Sequence, residues 1–354
     1  MTRQNTKSVA IVILNWNGRA FLEQFLPSVL ASDYPDLQII VADNASSDDS
    51  LAFVEKHFPT VSIIRLTENL GFAGGYNAAL KQVEADYYIL LNQDVEVTKT
   101  WISPLVEMME SKPGIAACQP KLRAWHDKEK FEYAGASGGM MDALGYTFCR
   151  GRIFDDTETD HGQYDDSIPV FWASGAALMI RAKLYHDFGG LETHFFAHME
   201  EIDLCWRLKN AGYQIMAIPA SVVYHVGGGS LPHGNPKKIY LNFRNSLLMF
   251  LRNMPLAKLL WFMPLRTGLD WLAAFKALFA GRPREFLAIL KAQASVCFRP
   301  DLWLKLRKKA RKTVQKNRIG KADRSGYYTG SLLWQYFVKG IKTFDKLQSG
   351  RFKP

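Results

Sequence analysis

Cysteine is scarce: Cys118, Cys149, Cys205 and Cys297 are the only four in 354 residues, and no two are closer than 31 positions. That spacing excludes a CxxC zinc site or redox pair, and so few thiols fit a reducing compartment. Long hydrophobic runs are also missing. The most apolar region, residues 247–280, is interrupted by Arg252, Pro255, Lys258, Pro264, Arg266, Asp270 and Lys276, whereas a membrane span needs about 20 nearly unbroken apolar residues. The polar start MTRQNTKS leads into six apolar residues, Val9 to Leu14, before Asn15. That is too short for a secretory signal, and a cytoplasmic location is the expectation. Three ligand signatures are absent: GxGxxG, GxxxxGK followed by Ser or Thr, and HExxH. Missing with them are the spacings that set backbone amides on phosphates, or two imidazoles on a catalytic zinc.

What the chain does have is core-forming material. Apolar residues make up 48% and aromatics 13%, against 22% charged, which excludes disorder and suits one large domain with an appendage, or two domains. The net charge of +10 is unevenly placed. Residues 232–354 hold 26 Lys and Arg and five acids (Asp270, Glu285, Asp301, Asp323 and Asp345), a net +21, while residues 1–231 carry −11. An acidic body with a basic tail points to an anionic partner for the tail, either nucleic acid or a phospholipid surface.

The first hundred residues alternate between two periods. Short β-branched runs at 9–14, 37–42, 61–66 and 87–91 are separated by helical spacings at 19–30, 51–58 and 73–83, and Ser46 with Asp49 resembles a capping box for the second helix. Such alternation predicts an α/β fold with a mostly parallel sheet and flanking helices, whose ligands sit at the carboxyl ends of the strands. Those ends are polar here: Asn15-Trp16-Asn17-Gly18, Asp43-Asn44-Ala45-Ser46, Glu68-Asn69-Leu70-Gly71 and Asn92-Gln93-Asp94. One polar loop is ordinary, but four in succession make a site. After the third strand, NLGFAGGYN (69–77) has glycines that let backbone approach a ligand near a helix start.

Three groups can carry chemistry. Asp94, ending a buried strand, can bind Mg²⁺ or Mn²⁺ that bridges two phosphates; the alternative is that it caps a helix beginning near Lys99 or sits in a turn. Glu200, Glu201 and Asp203 in THFFAHMEEIDLCWRLKNAGY (193–213) stand at a helix start, where one can cap and another can serve as general base. His225 ends a strand before three glycines in VVYHVGGGS (222–230), a run able to close over a ligand, and is a plausible further metal ligand.

Taken in order, VAIVILNWNG, VADNASSDDS, NLGFAGGYN, LLNQDV, WASGAALMIRA, FFAHMEEIDLCWRL and VYHVGGGS resemble the inverting family 2 nucleotide-sugar glycosyltransferases of GT-A fold, particularly the bacterial rhamnosyltransferase-like branch, over about residues 8–250. The resemblance implies that Trp16 and the Asn15–Asn17 backbone lie against the nucleobase and that Asp43 accepts its imide N–H. It implies that Asn92 and Asp94 fill the place of the DxD element, with Asp94 on the cation, and that His225 falls where related enzymes offer a metal or diphosphate ligand. Asn69, Gly74, Asn77 and Arg244 are placed with the donor, and Trp172, Ser174 and Gly175 with the acceptor. Glu201 falls at the catalytic base, with Glu200 beside it. Two departures stand out: Asn92 replaces the first acid of DxD, and Glu replaces Asp at 201.

The expected activity is therefore divalent-metal-assisted inverting transfer of a sugar, rhamnose being the one the branch suggests, from a nucleoside diphosphate to a glycan or lipid-linked acceptor. A non-catalytic sugar-nucleotide or glycan-binding scaffold and a nucleotidyltransferase are the alternatives. The catalytic domain is expected over residues 1–235 and a helical, aromatic and basic region over 236–354. Trp261, Phe262, Trp271, Phe275 and Phe279 interleave with Lys258, Arg266 and Lys276, and LKLRKKARKTVQKNR (304–318) follows. Aromatics among cations suit a bilayer interface, so an anionic membrane surface is favoured over nucleic acid, for which no module is recognisable. This places the protein peripherally on the inner face of the cell membrane; packing of these helices onto the catalytic domain or a second subunit is the plainer role.

Overall fold

The computed structural model describes residues 6–227 and 235–354. Its core is a mixed sheet. The strands are β1 (Val9–Asn15), β2 (Leu37–Asp43), β3 (Ser62–Arg65), β4 (Tyr87–Asn92), β5 (Val95–Val97), β6 (Ile115–Ala124), β11 (Ile168–Val170), β12 (Ala177–Arg181) and β13 (Gln214–His225), in the order β11-β13-β6-β12-β4-β1-β2-β3 with β5 against β13. β1 is buried along almost its whole length, as a central parallel strand covered on both faces must be. The covering helices are α1 (Arg19–Leu30), α2 (Ser50–His57), α3 (Gly71–Leu80), α4 (Ile102–Ser111), α5 (Ala182–Asp187) and α6 (Glu200–Asn210). α1 spans the residues predicted for it and buries Leu22, Phe25, Leu26 and Val29, the i, i+3, i+4, i+7 stripe of an amphipathic helix.

The sheet is less uniformly parallel than expected. β1 to β4 run parallel, but β12 runs antiparallel to both β4 and β6. The reason is the excursion between β6 and β12. It builds a small second sheet from β7 (Gly139–Asp142), β8 (Thr147–Cys149), β9 (Arg152–Ile153) and β10 (Asp156–Thr157), from which the chain re-enters in the opposite direction. Since β6 and β4 both oppose β12, and β13 parallels β6, the carboxyl end of β13 lies on the same edge as those of β1, β2 and β4. Register then sets Asn15 beside Asp43, Leu14 beside Asn92, and His225 beside Val95. The expected capping box does not form. Ser46 turns its hydroxyl to Asn15 and Asn17, and Asp48 takes the Ser50 N–H at the start of α2.

After Asn235, whose side chain caps the next helix by accepting from Lys237 N at 2.8 Å, come α7 (Pro236–Asn253), α8 (Leu256–Phe279), α9 (Pro283–Cys297) and α10 (Pro300–Lys316). Buried polar contacts tie this layer to α6: Asp203 accepts from Arg252 at 2.7 Å and from Asn253 at 2.7 Å, and the Lys209 ammonium donates to Ser325 Oγ and the Val170 carbonyl at 2.9 Å each. The chain then adds β14 (Tyr327–Tyr328) to the small sheet beside β7. α8 has two faces. One buries Leu259, Phe262, Ala274 and an Arg266–Asp270 ion pair at 2.9 Å; the other exposes Leu260 (81%), Trp261, Trp271, Leu272, Phe275 and Phe279 (85%). Among the described residues no helix is long and apolar enough to cross a membrane.

Candidate active site

Side-chain amides knit the first three loops at the sheet edge. Asn15 is buried at the end of β1, and its Nδ2 lies 2.9 Å from Asp43 Oδ1, 2.8 Å from Ser50 Oγ and 3.1 Å from Ser46 Oγ. The second Asp43 oxygen accepts from Ser46 N at 3.1 Å. Asn17, at φ 50°, accepts from Ser47 N at 2.7 Å, and an asparagine tolerates that left-handed conformation better than most residues. Asn69 accepts from Asn44 Nδ2 at 3.0 Å and from Gly71 N at 2.9 Å. Above this network Trp16 is 46% exposed, a flat apolar ring at a polar rim, with its backbone N–H donating to Gln93 Oε1 at 3.2 Å.

The fourth loop meets the last strand of the sheet. Asp94 Oδ1 is 3.2 Å from His225 Nε2, and Asn92 Nδ2 is 3.4 Å from that same nitrogen. Asp94 caps no helix, since α4 begins at Ile102. On the far side of the ring, His225 Nδ1 lies 3.3 Å from Glu132 Oε1. Burial disfavours charge on His225, but Glu132 and Asp94 overcome it and raise its pKa to about 10. For Asp94 the penalty of burial is likewise outweighed by His225, which holds the carboxyl below its ordinary value.

A third cluster starts at the 3-10 turn Thr193–Phe195. Phe196, His198 and Met199 all have positive φ, a strained run that Asn245 of α7 secures by donating to the carbonyls of Phe195, Ala197 and His198 at 2.8–2.9 Å. Met199 opens α6 with no side-chain cap, so none of the three acids caps. Asp203 instead pairs with Arg207 at 2.8 Å and with Arg252. Glu200 and Glu201 have no such partner: one oxygen of each is buried without a hydrogen bond. Burial raises Glu201 to about 7, and burial together with the Glu201 charge pushes Glu200 well above the carboxylate range. Tyr76 joins the two acidic clusters, its phenol feeling both Asp94 and Glu200.

Several predicted site residues sit elsewhere. Trp172 is buried, with its indole donating to the Met140 carbonyl of β7 at 3.0 Å, and Ser174 is buried with its hydroxyl donating to the Ala134 carbonyl in the loop before β7. Gly175 does belong to the site, because a Cβ there would lie 3.4 Å from Phe72 and 3.7 Å from Glu201. Gly74 packs on its own helix, 2.8 Å from the Leu70 Cβ by the same measure. The amide of Asn77 is engaged by Tyr185 and by both backbone groups of Leu191, away from the sheet edge. Arg244 donates to the carbonyls of His194 at 2.7 Å and Phe195 at 3.1 Å, and so organises the loop. Of the Gly run expected to close over a ligand, Gly228 and Gly229 lie outside the described residues. Sequence reasoning missed Glu132, Lys238 and the role of Gln93; only Gln93, inside the Asn-x-Asp pattern, carried a signal.

Among the described residues no three His, Cys, Asp or Glu side chains gather around a cation position. A cation shared with substrate phosphates needs only one or two protein groups and keeps waters for the rest. Asp94 oxygen and His225 nitrogen, side by side at 3.2 Å and buried near the carboxyl edge of the sheet, are groups of the kind that requirement asks for with Mg²⁺ or Mn²⁺.

A family model described as Glycosyl transferase family 2 matches residues 8–182. N-acetylglucosaminyl-diphospho-decaprenol L-rhamnosyltransferase of Mycobacterium tuberculosis is 26% identical over 239 residues, 62% of this chain and 76% of its own. Rhamnosyltransferase WbbL of Escherichia coli is 24% identical over 230 residues, 61% and 83% of the two chains. Among solved structures, GalNAc-T7 with UDP, GalNAc and Mn²⁺ superposes with a TM-score of 0.55 at 15% identity, over 70% of this chain and 48% of that one. The architecture is the GT-A fold.

Proposed function

We propose that this chain, which belongs to glycosyltransferase family 2 in its rhamnosyltransferase-like branch, works as a hexosyltransferase that moves a sugar from a nucleoside diphosphate to a glycan or lipid-linked acceptor with inversion. The observation that carries the reading is Glu201, a half-buried residue with one carboxylate oxygen enclosed and unbonded, raised to about 7 next to Gly175 and beside Glu200. Trp16 stacks on the base and Asp43 accepts from it. Glu201 takes the proton of the acceptor hydroxyl as its oxygen bonds to the anomeric carbon. The bond to the diphosphate breaks on the opposite face, and the nucleoside diphosphate leaves with the electron pair. When bound at Asp94 and His225, a divalent cation, Mg²⁺ or Mn²⁺, supplies charge neutralisation at the diphosphate. Its presence in GalNAc-T7 supports that assignment. Nucleotide sugars tested with and without Mn²⁺ should yield a transfer product and nucleoside diphosphate; release of pyrophosphate instead would make the protein a nucleotidyltransferase.

The acceptor side draws on α8. Its exposed Trp, Phe and Leu face, within a region of net +21, suits an anionic membrane surface on the cytoplasmic side rather than nucleic acid. The lipid-linked acceptor named for the mycobacterial relative supports that location. Residues 304–354 also complete the small sheet, so the test is a pair of surface changes. Leu260→Glu with Phe279→Glu should abolish sedimentation with anionic vesicles and leave the melting temperature unchanged. Undiminished vesicle binding in that variant removes α8 from the role.

A further inference from the structure

We propose that Glu132 is a positioning residue for the cation end of the site: its Oε1 lies 3.3 Å from His225 Nδ1 and so holds the ring with Nε2 toward Asp94, 3.2 Å away. The inference rests on the reading that Asp94 and His225 together hold a divalent cation. Glu132 lies outside every motif that led to the site, in the loop between β6 and β7. Its carboxylate is nevertheless buried, and a buried carboxylate is destabilising unless partners satisfy it. The partners are in place. Ala134 N donates to Oε2 at 2.5 Å, and Oε1 faces the imidazole at 3.3 Å. Gly227, at φ +74°, passes so close that a Cβ on it would lie 3.0 Å from Oε1, which closes the carboxylate from above. Lys238 of α7 lies near enough for its charge to be felt by Glu132.

A core ion pair alone would need only one of the two carboxylates. Here the ring has one on each nitrogen, both nearly fully buried, and they differ in their place in the fold. Glu132 lies in the loop before β7, held by Ala134 and close to Gly227, whereas Asp94 follows β4 at the carboxyl edge of the sheet, two residues after Asn92. With Nδ1 facing a carboxylate, the Nε2 lone pair becomes available to a cation that displaces the Nε2 proton, and such an outer carboxylate both orients a ligating ring and raises its basicity. Changes at outer partners of this kind typically reduce metal affinity by about 10- to 100-fold.

The test is Mn²⁺ titration of the full chain, read by electron paramagnetic resonance of free Mn²⁺, with spin-echo modulation from directly bound ¹⁴N as the signature of imidazole coordination. The wild-type chain should bind Mn²⁺ with the ¹⁴N signal, and His225→Ala should lose that signal. Glu132→Ala should weaken Mn²⁺ by about 10- to 100-fold and lose the ¹⁴N signal. Glu132→Gln, which keeps shape and an acceptor oxygen, should keep the ¹⁴N signal with a smaller loss of affinity. That rescue separates orientation from folding, and it covers the case in which the alanine variant does not fold. Wild-type affinity in Glu132→Gln, or an unaltered ¹⁴N signal in a folded Glu132→Ala, overturns the inference while leaving the cation reading intact. Wild-type Mn²⁺ binding in Asp94→Asn, or no Mn²⁺ binding by the wild-type chain, overturns the cation reading and this inference with it.

Discussion

The two acidic clusters at the strand edge hold the same functional group in opposite conditions. Asp94 has an imidazolium at 3.2 Å and is held below its ordinary value, whereas Glu200 and Glu201 each keep a buried oxygen with no hydrogen bond and are raised. Carboxylates pushed apart in this way take different tasks. An ionised, paired one suits binding of positive charge, and one poised near neutrality suits taking a proton. The nearby Asp203 marks the limit of this contrast: with Arg207, Arg252 and Asn253 around it, it is a structural hub with no acid–base duty.

The largest effect that can break the comparison is at Glu201. Glu201→Gln keeps the shape but cannot accept a proton at neutral pH, so single-turnover transfer at saturating donor should fall by about 10²- to 10⁴-fold with donor binding retained. A nearly normal rate would move the base to another residue. Next comes Asp94→Asn, also close in shape. It should weaken metal-dependent donor binding by at least about tenfold, seen as loss of the Mn²⁺-dependent rise in melting temperature with donor. If donor affinity and its metal dependence are both unchanged, the paired cluster has no part in binding. A smaller effect is expected at Glu200. Burial and the Glu201 charge push its pKa well up, which favours the protonated form, and Gln imitates that form. Glu200→Gln should therefore keep turnover within about tenfold of wild type, well short of the loss of a positioned base. If Glu200→Gln is the inactive variant, the two residues exchange roles.

Much of this contrast was legible in the sequence, and the unread part has a physical cause. Strand ends, α1, the acidic start of α6 and His225 at the end of β13 are local: a period of two or 3.6 residues interrupted by polar residues marks them wherever the chain goes next. Antiparallel entry of β12 and the burial of Trp172 and Ser174 depend on the excursion through the small sheet, whose two- to four-residue strands carry too few residues for a period. Glu132 reaches His225 only because β6 and β13 lie side by side, a pairing between segments far apart in sequence. Ser46 shows a local signal overridden, since a residue suited to cap α2 was taken by Asn15 and Asn17.

The finest test of the contrast is the pH dependence of stability, where the two clusters should act in opposite directions. Glu201 rises from 4.5 to about 7 on folding, so between those values the folded state holds a proton that the unfolded state has released. Stability from this group is therefore fully present below 4.5 and is lost as pH rises through about 7. Asp94 is lowered from 3.8, so its contribution is present above 3.8 and is lost as pH falls through its depressed folded value. The windows do not overlap, which allows each to be read alone. Urea unfolding at about pH 5 and about pH 8 should show the wild type losing more stability across that interval than Glu201→Gln, whose amide does not titrate. Transfer by the wild type should rise over the same range and level off above about 7, because the base must be unprotonated to act. A pH-rate curve that levels off near the ordinary Glu value, together with equal stability slopes in the two proteins, would place the raised proton outside Glu201 and leave Glu200 as its only holder in this pair.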